Sequence, residues 1–150
     1  MRQGLRFFTW DVSFVVLTYG VLSVDSAIDL HTDTVDKAIV DEPLVVEREI
    51  TVREVFGLLQ ANGRGSVVVC DDAQPIGILT ERDVLKMMSK DADLDVQLED
   101  VMITNPVTIH RSASVGEAIR VMSQGGYRRL PVVDDTGSLT GVIKVTGIVN

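Results

Sequence analysis

The chain has 150 residues, 45% of them hydrophobic and 24% charged, and a formal net charge of −8. This composition is that of a globular protein and excludes a disordered one. The acidity argues against nucleic acid as a partner, because binders of the phosphate backbone normally present a basic face. The single cysteine, Cys70, cannot form an internal disulfide. These features predict a cytoplasmic protein.

The N-terminal part complicates that prediction. Residues 7–24 are mostly apolar and follow Arg2 and Arg6, a pattern that resembles a signal peptide. However, Asp11 interrupts the run, no small-residue cleavage site follows it, and it is short for a membrane span of about 20 residues. We therefore favour an N-terminal extension over residues 1–35, packed on the body or frayed, with a signal peptide and a membrane anchor as alternatives.

We predict one β-α-β-β-α unit over residues 36–90. A short strand at 44–46 precedes Thr51 and Glu54, which have the spacing of a capping box, and a helix with one apolar face follows. Gly63 ends this helix. Strands are predicted at 66–70, where Cys70 is a small core residue, and at 76–79. A second helix runs from Thr80 to about residue 88.

The unit then repeats. Residues 91–101 are acidic and lack an apolar period, so we predict a linker there. Over residues 102–150 the pattern returns at an offset of 63 residues, which becomes 64 after a longer turn, and Ser114 and Glu117 form a second capping-box pattern. The second copy stops where its last helix would begin. The predicted fold is therefore α+β, with two units and the last helix of the second unit missing.

Two stretches at equivalent positions differ in their polar residues. The first, Gly77 to Asp83, reads G-h-h-T-x-x-D, where h is apolar. The second, Gly141 to Gly147, has Lys144 and Gly147 where the first has its Thr and Asp.

Four features carry a resemblance to a known family: the repeat, the first G-h-h-T-x-x-D stretch, the Pro-h-x-h starts at Pro43 and Pro106, and the Arg-Arg-Leu-Pro-Val-Val-Asp segment at 128–134. By these features the sequence resembles a tandem pair of CBS domains. CBS domains are named after cystathionine β-synthase, and such a pair is called a Bateman module. The resemblance covers about residues 36–150. It implies pseudo-two-fold packing of the two units through their sheets, with two clefts that hold adenine nucleotides or S-adenosylmethionine. It also implies a homodimer and an effector protein that the sequence does not name.

The resemblance assigns the polar side of one cleft to four residues. Asp83 would bind the ribose hydroxyls, Thr80 the ribose or a phosphate, and Arg128 or Arg129 the phosphates. The chemistry fits, because a carboxylate accepts from a diol and guanidinium groups suit phosphate oxygens. Plainer roles are also open: helix capping for Thr80 and Asp83, and surface ion pairs with Asp134 or Asp135 for the two arginines.

The adenine would lie against Ile78 and the strand entry around Ile103, Val107 and Thr108, although core packing is the better explanation for Val107. Because Gly147 has no side chain for a ribose, we predict one nucleotide per chain. Lys144 would then contact a phosphate or, more plainly, be solvated.

No catalytic residues are predicted. No Ser-His-Asp or Cys-His arrangement has a supporting motif, and no carboxylate pair stands out as acid and base. His31 and His110 lie far apart and near no cysteine, so no metal site is expected.

The sequence therefore predicts a regulatory module, not an enzyme. It would bind AMP, ADP, ATP (with Mg²⁺ for the triphosphate) or S-adenosylmethionine in one cleft and signal to a partner. The alternative is a dimerisation or interaction scaffold whose sites are vestigial.

Overall fold

The computed structural model describes residues 28–38 and 40–144 of the chain. The helices of these ranges are a 3₁₀ helix at Val35–Lys37, α1 (Val52–Asn62), α2 (Glu81–Ser89), α3 (Leu98–Val101) and α4 (Val115–Gly125). The strands are β1 (Val40–Asp41), β2 (Ser66–Asp71), β3 (Gln74–Thr80), β4 (Ile103–Thr104), β5 (Ile109–His110), β6 (Arg129–Val133) and β7 (Leu139–Lys144). None of these helices is long and apolar enough to span a membrane.

The strands form two sheets, one for each unit. The first has the order β2-β3-β4 and the second the order β1-β7-β6-β5. Each sheet contains one strand from outside its own unit, because β4 pairs with β3 of the first unit and β1 pairs with β7 of the second. The predicted α+β fold with two repeats is confirmed, and the exchange of β1 and β4 ties the two units together.

The two sheets pack against each other, as the resemblance implied. Val68 and Ile78 of the first sheet and Val142 of the second are buried in one cluster, with Cys70 and Leu139 packed beside them. Burial raises the pKa of the Cys70 thiol above its ordinary value, which suits a residue that acts as a small apolar group. The interface between the units is therefore part of the hydrophobic core.

Helix α1 shows why the local sequence predicted its helix correctly. The Thr51 hydroxyl accepts a hydrogen bond from the Glu54 amide at 3.2 Å, and the Glu54 carboxylate accepts one from the Thr51 amide at 2.9 Å. The helix buries Val52 and Leu59 on one face and ends at Gly63, whose φ of 59° is left-handed. The predicted capping box is confirmed at this helix.

This capping box predicts a pH dependence of stability. The hydrogen bond from the Thr51 amide lowers the pKa of Glu54 below its ordinary value of 4.5. A carboxyl group whose pKa is lowered by folding stabilises the protein fully above the unfolded-state value, and this stabilisation is lost as the pH falls through the folded-state pKa. We therefore expect Glu54→Gln to lower the melting temperature at about pH 7, and to lower it less at about pH 3.5.

Melting curves followed by circular dichroism at the two pH values would test this expectation. Glu49→Gln removes the same charge from an exposed position just before the cap and serves as the control. An effect of Glu54→Gln that is equal at both pH values would contradict the role given to the ionised carboxylate.

The second capping box is only half formed. The Ser114 hydroxyl accepts from the Glu117 amide at 3.1 Å, but the Glu117 carboxylate accepts from Arg120, with 3.0 Å to its Nε. The predicted reciprocal cap is therefore wrong at α4, because an arginine one turn further on competes for the same carboxylate.

The predicted linker is also different in the structure. Within residues 91–101, α3 forms and Leu98 is completely buried in the core of the first unit. Its amide donates to the carbonyl of Ile50 at 2.8 Å. The apolar pattern was missed because this buried leucine lies between acidic residues.

The same packing occurs at the start of the chain. Val35, which lies 63 residues before Leu98, is completely buried in the core of the second unit, and its amide donates to the carbonyl of Ala113 at 2.8 Å. Ile28 and Leu30 pack on the same core. Residues 28–35 of the predicted extension thus pack on the body, and they are the counterpart of residues 91–98. The repeat therefore extends further towards the N-terminus than residue 36.

Two further expectations have different outcomes. The predicted strand at 44–46 is reduced to an isolated bridge in which Val45 pairs with Val68 in parallel. The apolar run at 7–24 and the start of the last helix at 145–150 lie outside the described residues.

Candidate functional site

A cleft of about 460 Å³ lies between the two units. One wall comes from the end of β3 and the start of α2. The other comes from the turn between α4 and β6, and β4 with the segment after it completes the lining. Seven of the eight predicted site residues line this cleft: Ile78, Thr80, Asp83, Ile103, Val107, Arg128 and Arg129. The eighth, Thr108, does not line it, because the chain turns into β5 beyond Val107.

Thr80 and Asp83 form the capping box of α2. The Thr80 hydroxyl donates to Asp83 Oδ2 at 2.7 Å, and the Thr80 amide donates to the same oxygen at 3.0 Å. The hydroxyl also accepts from the Asp83 amide at 3.3 Å. Asp83 Oδ1 forms no hydrogen bond with the described residues, so one oxygen of this cleft-lining carboxylate remains available. The capping role is thus real and leaves room for a second role.

Arg129 reaches across to the first unit. Its guanidinium group lies directly over Gly65, where the Cβ of any other residue would overlap it. Gly65 in turn accepts a hydrogen bond from the Glu81 amide at 2.9 Å, next to the start of α2. The absence of a side chain at residue 65 therefore leaves the space that the Arg129 guanidinium group occupies, and a larger residue there would displace this group.

The alternative role for the arginines is wrong in this structure. Neither Arg128 nor Arg129 forms an ion pair with a described residue. Asp135 pairs with His110 at 2.8 Å, and Asp134 accepts from the Thr136 amide at 2.9 Å. Hydrogen bonds from Thr136 also lower the pKa of Asp134. Both acidic groups thus have other partners.

The apolar part of the cleft is partly open to solvent. Ile78 is buried, whereas Ile103 is 50% and Val107 is 42% exposed. Core packing for Val107 was therefore the wrong explanation, since a core residue would not be exposed to this degree. Exposed apolar side chains beside a cleft suit a flat, partly apolar ligand group.

Two basic residues of the cleft were missed at first. Arg82 and Lys86 lie on α2 and line the cleft beside Asp83. Their i, i+4 spacing on the helix that the motif opens was the signal that could have identified them, because residues so spaced share a helix face. Tyr127, before Arg128, also lines the cleft and was not predicted.

The cleft is strongly basic for an acidic protein. Arg82, Lys86, Arg128 and Arg129 line it, and none of them forms an ion pair with a described residue. Asp83 is the one acidic residue among the described residues of the lining. A group of uncompensated cations at the mouth of a cleft attracts an anion locally, whatever the net charge of the chain.

The place in the second unit that corresponds to this cleft by the repeat, around Lys144, has a different arrangement of charges. The sequence offsets place Lys144 where the first cleft has Thr80, and Asp41 where it has Thr104. Lys144 Nζ lies 3.0 Å from Asp41 Oδ2, and Arg64 Nη1 lies 3.8 Å from Asp41 Oδ1. The expectation of a solvated lysine is therefore wrong, because Asp41 neutralises Lys144. Gly147, which would complete the comparison, lies outside the described residues.

A hydrogen-bonded Ser-His-Asp group lies elsewhere, at the loop after β5. His110 Nδ1 is 2.7 Å from Ser112 Oγ and also accepts from the Ser112 amide at 3.2 Å. His110 Nε2 contacts Asp135, whose side chain is 95% exposed. Since water competes fully for this carboxylate, we assign the group no catalytic role. Among the described residues, no three His, Cys, Asp or Glu side chains form a potential metal site.

Comparison with known proteins identifies the same two repeats. The sequence profile of the CBS domain matches residues 35–90 and again residues 98–150. An uncharacterized protein of Methanopyrus kandleri is 39% identical over 101 residues, which are 65% of this chain. The chain spans 52% of the length of this relative, and between 17% and 62% of the length of the other curated relatives.

Solved structures share the fold. A CBS domain protein of Pyrobaculum aerophilum complexed with AMP superposes with a TM-score of 0.71 and 24% identity, over 77% of this chain and 89% of that one. The CBS domain pair of protein MJ0100, in complex with 5′-methylthioadenosine and S-adenosyl-L-methionine, gives a TM-score of 0.70 and 22% identity, over 77% and 96% of the two chains. Because two profile matches follow the two repeats and the fold is shared, the chain belongs to the CBS domain family.

Proposed function

We propose that the chain is a regulatory module that binds a phosphorylated adenosine ligand in the cleft between its two units. The observation that supports this most directly is a cleft lined by Asp83, by apolar side chains and by four cations that have no ion-pair partner among the described residues. In this arrangement Asp83 Oδ1 accepts from the ribose hydroxyls, and the arginines bind phosphate oxygens. The AMP and S-adenosylmethionine complexes of structural relatives support adenosine as the ligand core.

The position of the cleft suggests how binding would be passed on. A ligand there contacts α2 of the first unit and the turn before β6 of the second. Ligand binding shifts an equilibrium between two arrangements only by its difference in affinity for them. A site made from both units responds directly to their relative position, so its occupancy can alter what a partner recognises.

We further propose one ligand per chain. In the second position Asp41 already neutralises Lys144 and lies near Arg64, so an entering phosphate would have to displace an internal carboxylate. In the first cleft the equivalent residue is Thr104, and the cations remain free of described partners.

Isothermal titration calorimetry with AMP, ADP, ATP and S-adenosylmethionine, with and without Mg²⁺, tests this proposal. We expect saturable binding of at least one ligand with one site per chain. A ligand at about a hundred times its dissociation constant should also add about 2.7 kcal/mol to the free energy of unfolding. Two equivalent sites per chain would contradict the assignment of the second position.

The second candidate function is a scaffold that binds no nucleotide. Leu85 and Met88 favour it, because they are exposed and lie three residues apart on α2, where they could contact a second copy of the chain. A chain that dimerises in solution but shows neither heat of binding nor a thermal shift with any of the four ligands would support the scaffold.

A further inference from the structure

We propose that the cleft selects the metal-free form of a nucleoside polyphosphate over the monophosphate, and disfavours S-adenosylmethionine. This inference rests on the proposed function, since it assumes that adenosine binds beside Asp83. It goes further in naming the phosphate chain and its charge state as the recognised features.

The spacing of the four cations along the cleft suits a chain of several phosphates better than a single phosphate. Arg82 and Lys86 follow one another along one face of α2, one helical turn apart, while Arg128 and Arg129 lie on the opposite wall. A single phosphate group beside Thr80 would lie at one end of this arrangement. Lys86 lies four residues beyond Arg82, about 6 Å further along the helix axis, where a longer phosphate chain could reach it.

The net positive charge of the lining also favours a polyphosphate over a monophosphate. The lining has four cationic side chains and one carboxylate among the described residues. A terminal phosphate carries a charge of about −1.5 to −2 at pH 7, and each further phosphate adds about one negative charge. A monophosphate would leave part of the basic lining uncompensated, whereas a triphosphate approximately neutralises it. S-adenosylmethionine carries a sulfonium cation, which the same lining repels.

The described lining offers few ligands for Mg²⁺, which favours the metal-free form of the nucleotide. Mg²⁺ bound with a nucleotide usually takes one or two protein carboxylates as well as phosphate oxygens. Asp83 is the one carboxylate that the described lining offers, and its Oδ2 is already held by the Thr80 amide and hydroxyl. Because Mg²⁺ also cancels two of the negative charges that the four cations would bind, it should weaken binding.

Calorimetric titration of the full chain with AMP, ADP and ATP tests the inference, once with excess EDTA and once with excess Mg²⁺. We expect the affinity to rise from AMP to ATP by about tenfold or more, the effect of one added hydrogen-bonded charge contact. Excess Mg²⁺ should reduce the ATP affinity without affecting that of AMP to the same degree. Equal affinities for AMP and ATP, or tighter ATP binding with Mg²⁺, would overturn the inference and leave the proposed function intact.

Variants locate the effect on α2. The double variant Arg82→Ala/Lys86→Ala should lower the ATP affinity by a clearly larger factor than the AMP affinity, so that the two affinities approach each other. Lys90→Ala serves as the matched control, because it removes an exposed lysine one turn further on that does not line the cleft. An equal loss for AMP and ATP in the double variant would show that these cations do not read the length of the phosphate chain.

Inorganic tripolyphosphate separates the two proposals. Weaker binding of tripolyphosphate than of ATP supports both, because the adenosine part then adds affinity. Binding of tripolyphosphate as tight as that of ATP would support the polyphosphate site and contradict the nucleoside site. If no adenosine ligand and no polyphosphate binds, both proposals are wrong.

Discussion

Asp83→Asn is expected to weaken binding of the adenosine ligand by about 10- to 100-fold. Asparagine keeps an oxygen that can accept from the Thr80 amide, so α2 should still be capped. It loses the charge and replaces one acceptor oxygen with a donor, which cannot accept from a ribose diol. A hydrogen bond to a charged group contributes about 1.5–3 kcal/mol, and about 1.4 kcal/mol corresponds to a tenfold change in affinity.

Calorimetry would measure the loss of affinity, and thermal melting would measure the change in stability. Stability should fall by no more than about 1 kcal/mol, the contribution of an acidic residue near a helix N-terminus. Glu81→Gln is a matched control, because Glu81 lies in the same helical turn and does not line the cleft. An unchanged affinity in Asp83→Asn would rule out the ribose contact.

Leu98→Ala is expected to destabilise the fold by about 2–5 kcal/mol, the usual cost of removing a buried leucine side chain. Leu98 is completely buried beside Val52, Leu59 and Val84, although it lies in a stretch that the sequence alone marks as a linker. The loss combines the lost burial of apolar surface with the cavity that remains. Urea denaturation at equilibrium would measure the change in the free energy of unfolding.

Leu85→Ala provides the comparison for this variant. It makes the same chemical change in α2, where the side chain is 50% exposed, and it should cost clearly less than Leu98→Ala. A similarly small effect at both positions would mean that the segment around α3 is not part of the core of the first unit.

Each of the two units is completed by a segment that belongs to the other repeat. The 3₁₀ helix and β1, at the start of the first repeat, pack on the second unit, whereas α3 and β4, at the start of the second repeat, pack on the first unit. The shape of a cleft at this junction would change directly with the relative position of the two units. This is the structural reason to expect ligand binding and unit arrangement to be coupled.

The sequence by itself determined the features that depend on local chemistry and on the repeat. Thr51 and Glu54 predicted a helix start, Gly63 predicted its end, and the offset of 63 residues established two similar units. The same comparison identified Thr80 and Asp83 as the polar pair that only one unit keeps. Such features need contacts between residues a few positions apart, so a linear pattern is enough to reveal them.

The tertiary structure alone decided which distant residues meet. The exchange of β1 and β4, the burial of Val35 and Leu98, and the pairing of Lys144 with Asp41 join residues far apart in the chain. The same is true of the cations of the cleft, which come from two units and were only partly predicted. Local patterns carry no information on these pairs, because the packing of the two sheets brings them together, and that packing depends on the whole chain.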